Sequence, residues 1–380
     1  MTAERSTGGV IPSADETLLL RACVLGGDRA FEAWTRWSSG HTPTDAMQGQ
    51  TGRLLPLIYK TIGDRLPRDD AWYAMLSTAH RATWITAQRR LGVIEAVAEA
   101  LAAARLEAIV LKGAMLHLTG LRPAGTRTLG DIDLMIPAER VSDAVAALAQ
   151  AGYTTDKPIG PGDIRYRHAR PLQSDAGELD LHWRPAVELM NPQAAEALWS
   201  RAQAIPNAPA ALKRLSPTDA LFHTLVHGSR STDLFAIQWA ADAALLLDRE
   251  GSKIDWPLFV ESAGTNRLTA RLAPMLAYLR DTLDQTVPDD VIDSLRAIPP
   301  SRTERFEARV YSRRRVYGGG LLADFGQAML QSLAACGRNT YWRPPLARLP
   351  HAVRFLAFRW SAELMESWRP RQDSNLRPSD

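Results

Sequence analysis

Apolar residues recur at helical spacing through the first hundred positions. Segments 15–23, 28–37 and 53–62 each carry one apolar face, which predicts three short helices. The longest run, 69–105, is Ala-rich, and Trp72, Met75, Leu76 and Ala79 trace a stripe at i, i+3, i+4 and i+7. Asp69 and Asp70 are placed to cap its start. Gly92 predicts a break or a bend partway along.

The period changes at 106. Residues 106–111, Leu-Glu-Ala-Ile-Val-Leu, form an apolar run of strand length, followed by Lys112-Gly113 and a helical turn or two over 114–119. A loop rich in Gly, Pro and Thr covers 120–130. Asp131-Ile132-Asp133-Leu134-Met135-Ile136 then reads as a strand, and Pro137 opens a helix over 138–151 that Gly152 closes. Segments 165–172 and 178–183 are strand-like and joined by Ser174-Asp175-Ala176-Gly177, a hairpin turn.

Beyond Pro185 the helical period returns. Ser216-Pro217-Thr218-Asp219 combines a capping Ser, Pro at the first position and Asp in the first turn. Successive helices are predicted over 220–226, 234–247, 256–263, 267–283 and 289–297. A Pro/Arg-rich crossing spans 338–350, and an amphipathic helix covers 352–368. The expected fold class is α+β, a small mixed β-sheet core embedded in a largely helical chain. The expected organisation is a disordered tail over 1–14, a helical region over 15–105, the αβ core over 106–190, a second helical region over 191–368 and a disordered tail over 369–380.

Composition narrows the class. Apolar residues make up 46% of the 380 and charged residues 23%, as in an ordinary globular protein. Two cysteines and no secretory leader point to a reducing cytoplasm, and no apolar stretch is long enough for a transmembrane helix. The net charge of +3 conceals an asymmetry. Residues 301–380 hold 14 Arg against 7 acidic residues, whereas 1–300 hold 31 basic against 35 acidic. The acidic body argues against nucleic acid as a partner. The basic end is either a solvated helix face or a contact for an anionic partner.

The candidate chemistry starts at Asp131 and Asp133. Side chains alternate along a strand, so both carboxylates share one face, roughly 6–7 Å apart, with Ile132 and Leu134 opposite. Two like charges so placed repel unless a cation lies between them, and a hard divalent ion such as Mg²⁺ suits carboxylate oxygens. In Glu178-Leu-Asp-Leu-His-Trp183 the alternation places Glu178, Asp180 and His182 on one face. If that strand lies beside the first, Asp180 completes a three-carboxylate site able to hold two metal ions for phosphoryl or nucleotidyl transfer. Lys112-Gly113, where a strand feeds a helix, offers close backbone approach, free N–H groups and a point charge for phosphate. Arg122 and Arg127 stand in the loop ahead of Asp131. Arg127 is placed either to position a triphosphate or to neutralise the carboxylates.

Two further features stay open. His223 and His227 are four apart on a helix, a spacing that can bind Zn. No Glu follows His223 and no third ligand is evident, so packing or a pocket wall is the preferred reading. Asp242 is a lone acid in an apolar helix that either pairs with an Arg or lines the pocket.

Val110-Leu-Lys-Gly113, Arg127, Gly130-Asp-Ile-Asp-Leu134 and Asp180-Leu-His-Trp183 together resemble the uncharacterised bacterial nucleotidyltransferase family of the DNA polymerase β superfamily. The His223/His227 helix, Asp242 and Leu349-Pro350 match the same pattern. The resemblance implies a nucleotidyltransferase core, an NTP donor, dependence on Mg²⁺ or Mn²⁺ and an acceptor of unknown identity. It assigns Asp131 and Asp133 as metal ligands, and Asp180 as third carboxylate, either ligand or base for the acceptor hydroxyl. Lys112, Gly113 and Arg127 become the nucleotide-binding residues. One departure is visible: where the superfamily usually carries Gly-Ser or Gly-Gly, this chain has Lys112-Gly113-Ala114. The rival expectation is a catalytically silent module on the same fold that binds a nucleotide or a partner.

Overall fold

In the computed structural model of the chain, residues 10–47, 51–230, 237–312, 330, 333, 336 and 351–357 are described. The expected tail at 369–380, the crossing at 338–350 and most of the basic end lie outside these residues. The chain starts with α1 (Ala14–Val24), α2 (Gly27–Ser38), α3 (Pro43–Ala46), α4 (Leu55–Ile62) and α5 (Ala71–Ala103). The sheet unit follows: β1 (Ala108–Val110), α6 (Lys112–Leu118), β2 (Ile132–Met135), α7 (Val141–Gln150), α8 (Pro161–Tyr166), β3 (Ala169–Ser174) and β4 (Gly177–His182). Then come α9 (Pro192–Ser200), β5 (Gln203–Ala204), β6 (Leu212–Arg214), α10 (Pro217–Gly228), α11 (Gln238–Glu250), α12 (Trp256–Thr265), α13 (Thr269–Leu283), α14 (Asp289–Ala297) and α15 (Arg302–Ser312). None of the described helices is long and apolar enough to cross a membrane.

The six strands form one mixed sheet in the order β3-β4-β2-β1-β6-β5. β2 runs parallel to β4 and antiparallel to β1, while β1 runs parallel to β6. The α+β reading holds: a small mixed sheet sits within a mostly helical chain. Every residue of β1 and β2 is buried, as expected for central strands covered on both faces.

The local signals account for most boundaries. Asp70 accepts from the Trp72 backbone N–H at 2.8 Å and starts α5. Ser216 caps α10 through the Asp219 N–H, with Pro217 at the first position. The β3–β4 hairpin closes on Ser174 opposite Gly177, whose φ of +119° only glycine adopts without strain. Three expectations are corrected. α5 runs unbroken through Gly92, because packing of its apolar stripe outweighs the roughly 1 kcal/mol a helical glycine costs. The strand expected from 165 begins only at Ala169, because residues 165 and 166 end α8, which has Pro161 at its start and the Asp163 carboxylate accepting from the Gly160 N–H. Val10, in the segment expected to fray, is buried, and its carbonyl accepts from Trp239 Nε1 at 3.2 Å.

Two hydrophobic cores share the helix α5. Its N-terminal half places Leu76 in a helical core with α1, α2, α4 and α10 to α14. Its C-terminal half places Ile94, Val97, Ala98 and Leu101 in the core that covers the sheet. α5 therefore ties the helical body to the sheet. At about 1.5 Å per residue its 33 residues reach about 50 Å, long enough for both tasks.

Leu134 lies in the middle of β2 and is fully buried. Leu134→Ala is expected to cost about 2–5 kcal/mol in urea unfolding, the usual range for a leucine truncated in a close-packed core.

Candidate metal and nucleotide site

The site is built at the junction of β2, β4 and the turn that follows β1. β2 and β4 pair in parallel with Asp133 directly opposite Asp180. One strand further on, β1 leads into Leu111 and Lys112. The backbone at Lys112 has φ +49°, a left-handed conformation that costs a non-glycine residue about 1–3 kcal/mol. This kink opens α6, and Lys112 Nζ lies 2.5 Å from Asp133 Oδ1. His182, two residues after Asp180 on β4, brings Nε2 to 3.0 Å from the same oxygen.

Charge and burial explain the proton affinities. Burial alone would push the Asp133 carboxyl up. The Lys112 ammonium and the hydrogen bond and charge of His182 outweigh it, and hold Asp133 well below the usual carboxylate range. Asp180 lacks such partners; burial and the charge of Asp133 push it up to about 6. Burial and Asp133 also raise Asp131.

One set of ligating atoms comes together among the described residues. Asp133, Asp180 and His182 each place an oxygen or nitrogen within 4.8 Å of the other two. Asp131 does not join that set; it sits one residue ahead of β2, close enough to feel Asp133, Lys112 and Glu178. The donor chemistry, two carboxylates with an imidazole beside them, suits a divalent cation. The Lys112 ammonium on Asp133 shows that this oxygen already takes a cation as partner.

Arg127 and Arg122 are placed differently from the carboxylates. Arg122 Nη1 and Arg127 Nε lie 2.9 Å from the two oxygens of Asp242 on α11. Arg122 is fully buried, and its Nη2 also donates to the Thr126 carbonyl at 3.3 Å. This decides the role of Asp242: it clamps the 120–130 loop from both ends. Gly113 belongs to the same arrangement. A Cβ there would fall 1.8 Å from Arg127 Nη1, so glycine leaves the room in which the guanidinium lies.

His223 and His227 do not join the ligand set. His223 Nε2 donates to the Pro185 carbonyl at 2.9 Å, which fixes α10 against the chain that leaves β4. Burial, then the charge of Lys112, lower the His223 pKa to about 4 and keep His227 well below its ordinary value. Both rings therefore stand neutral in the positive field of Lys112, as a wall beside the site.

Three participants escaped the sequence reading. The Lys112–Asp133 contact joins the start of α6 to β2, and no spacing rule predicts it. His168, packed edge-on against His182 with ring centroids 5.4 Å apart, carried no periodic signal. Arg53 is lowered by burial and then by Arg127, with Asp131 acting the other way, which brings the N-terminal helical region to the edge of the site. His182 was visible, because strand alternation put it on the face of Asp180.

Two outcomes follow from this geometry. Asp242→Ala leaves one buried and one half-buried guanidinium group without their carboxylate, and is expected to cost about 3–5 kcal/mol in denaturant unfolding; a loss near zero contradicts the clamp. Asp180 carries its pH dependence in the opposite sense to an ordinary ion pair. Its carboxyl is at about 6 when folded against an ordinary 3.8, so the native state keeps a proton that the unfolded chain gives up. Stability from this group is therefore greatest below 3.8, falls as pH rises towards about 6, and is flat above. In metal-free unfolding titrations Asp180→Asn should gain on the wild type across that window, by on the order of 2–3 kcal/mol at its upper end. A pH-independent difference contradicts the burial of this carboxylate.

Comparison with known proteins supplies a family. A family model described as an uncharacterised nucleotidyltransferase matches residues 48–284. No curated protein and no solved structure matches the chain significantly. The matched span takes in every element from α4 to α13, and contains Lys112, Asp131, Asp133, Asp180, His182 and Asp242. It covers more than half of the chain, and the protein belongs to this nucleotidyltransferase family.

Proposed function

We propose that the protein transfers NMP from an NTP to a hydroxyl or similar group on a small-molecule or protein acceptor, with Mg²⁺ or Mn²⁺. The observation that carries this reading is the in-register pairing of Asp133 and Asp180 on parallel strands, with a lysine ammonium at 2.5 Å on the Asp133 carboxylate. A family of nucleotidyltransferases supplies the reaction class.

Asp131, Asp133 and Asp180 would hold the metal. When bound, the metal supplies charge neutralisation for the triphosphate and activates the attacking oxygen. Asp133 stays ionised throughout the working pH range, since Lys112 and His182 suppress its protonation after offsetting the cost of burial. The Asp180 carboxyl lies near 6 in the metal-free site; a bound cation would favour its ionised form, in which it either ligates the metal or takes the acceptor's proton. Lys112 is 20% exposed on a flexible stem, so its ammonium can leave Asp133 for a phosphate oxygen as the donor enters. Gly113 and the first N–H groups of α6 line the same turn. Arg127 lies beside this turn, with Nε on Asp242 and Nη1 on the Thr128 carbonyl, and its Nη2 would be its contact with the nucleotide. The neutral rings of His223 and His227 wall the pocket without competing for the anion.

The test is transfer of label from α-labelled ATP, CTP, GTP or UTP to a cell extract with Mg²⁺ or Mn²⁺. The expected result is labelled product with the wild type and a loss of at least about a hundredfold with Asp133→Asn, the scale of removing one key electrostatic group. Transfer that persists unchanged in Asp133→Asn overturns the site. Nucleotide binding without any transfer points to the silent module.

A further inference from the structure

In the three-carboxylate reading His182 serves only to keep Asp133 ionised, yet its imidazole shares one cluster of ligating atoms with Asp133 and Asp180. Resting on the metal site proposed above, we infer that His182 Nε2 is itself a metal ligand, so that the centre favours a first-row transition ion over Mg²⁺.

The ring is fixed on all sides. It is 1% exposed, sits at the last position of β4 and packs edge-on against His168. Nδ1 lies 3.3 Å from the Arg184 carbonyl oxygen, and Nε2 lies 3.0 Å from Asp133 Oδ1. Both ring nitrogens therefore face oxygen acceptors. Without a metal, Nε2–H donates to the Asp133 carboxylate and helps to keep it ionised. A cation entering between the two groups takes the place of that proton, and the ring keeps its other proton on Nδ1, directed at the Arg184 carbonyl. A backbone carbonyl on one nitrogen and a metal on the other is the usual arrangement of a ligating histidine.

The spacing agrees. Neighbouring ligands on an octahedral ion at about 2.1 Å stand about 3.0 Å apart, the separation of Nε2 and Asp133 Oδ1. Asp180 completes the set within 4.8 Å. Only Lys112 Nζ competes for the same oxygen, and its four-carbon stem lets it swing out.

The ligand set then predicts the metal. Mg²⁺ takes oxygen ligands, keeps several waters and gains little from imidazole. Borderline divalent transition ions accept imidazole nitrogen and carboxylate oxygen together. The centre should therefore distinguish Mn²⁺ and its heavier neighbours from Mg²⁺ by a nitrogen that an all-carboxylate site lacks.

Mn²⁺ is the probe, because its electron spin reports directly on coordinated nitrogen. The full-length protein is titrated with Mn²⁺ and examined by pulsed electron paramagnetic resonance, with Mg²⁺ as competitor. The expected result is a ¹⁴N coupling to bound Mn²⁺, and Mn²⁺ held at least about tenfold more tightly than Mg²⁺. His182→Gln should abolish the coupling and narrow that preference, whereas His223→Gln should retain the coupling. If His182→Gln does not fold, wild-type protein carrying ¹⁵N-histidine answers the question, since the coupling must change to that of ¹⁵N. Mn²⁺ that binds in an Asp133-dependent way with no nitrogen coupling overturns the role of His182 and leaves the transferase reading intact. No Mn²⁺ or Mg²⁺ binding, with or without NTP, overturns both.

Discussion

The structure depends on a single buried negative charge. Asp133 is 2% exposed in a central strand, where an isolated carboxylate would be too costly to keep ionised. It stays ionised because one oxygen receives both Lys112 and His182. Each partner makes a demand on the backbone. Lys112 can reach only from the left-handed kink that starts α6, and His182 only if β4 lies parallel to β2 in this register. A one-residue slip of β4 would turn Asp180 and His182 to the other face and bring Leu179 and Leu181 to the charge. The electrostatic need of one side chain thus fixes the order and register of the strands that form the site.

A second buried charge fastens the rest of the chain to that site. Asp242 belongs to α11, in the helical body, yet its two oxygens serve arginines from the loop between α6 and β2. The loop holds Gly120, Pro123, Gly125 and Gly130, and so has little propensity for order by itself. The Asp242 clamp orders it from outside. Gly113 is the small residue that lets the Arg127 guanidinium cross the start of α6 on its way to Asp242. The strained turn at Lys112 and the clamped loop are in this way a single unit.

What could be read in the chain beforehand followed physical range. Period-2 alternation in 131–136 and 178–183 exposed both strands and put Asp180 and His182 on one face. Capping chemistry at Asp70 and Ser216 fixed two helix starts. These are interactions within a few residues. β6 is only three residues long and is a strand because β1 lies beside it, so its local pattern gave no notice. Gly92 was a weak local signal overruled by the stripe from Leu76 to Leu101 that two cores bury. Asp242 offered a clear anomaly, a lone acid among Ala and Leu, but its partners lie 115 and 120 positions away. Local rules can flag such a residue; only the folded chain names its partners.

Asp133 and Asp180 stand opposite one another on adjacent strands, yet their proton affinities diverge. Both are penalised by burial. The difference is that Lys112 and His182 bond directly to Asp133, whereas Asp180 feels its burial and the charge of Asp133 ahead of either cation. In the metal-free site the two carboxyls are forced apart in this way, one a permanent anion and one that holds a proton more readily. The same asymmetry limits the order of events. In the proposed reaction a cation arriving at Asp133 must displace or share with Lys112, and the ammonium so released would turn to the triphosphate. Metal and nucleotide would then be thermodynamically linked through one lysine: whatever draws Lys112 away opens Asp133, and whatever occupies Asp133 frees Lys112 for phosphate.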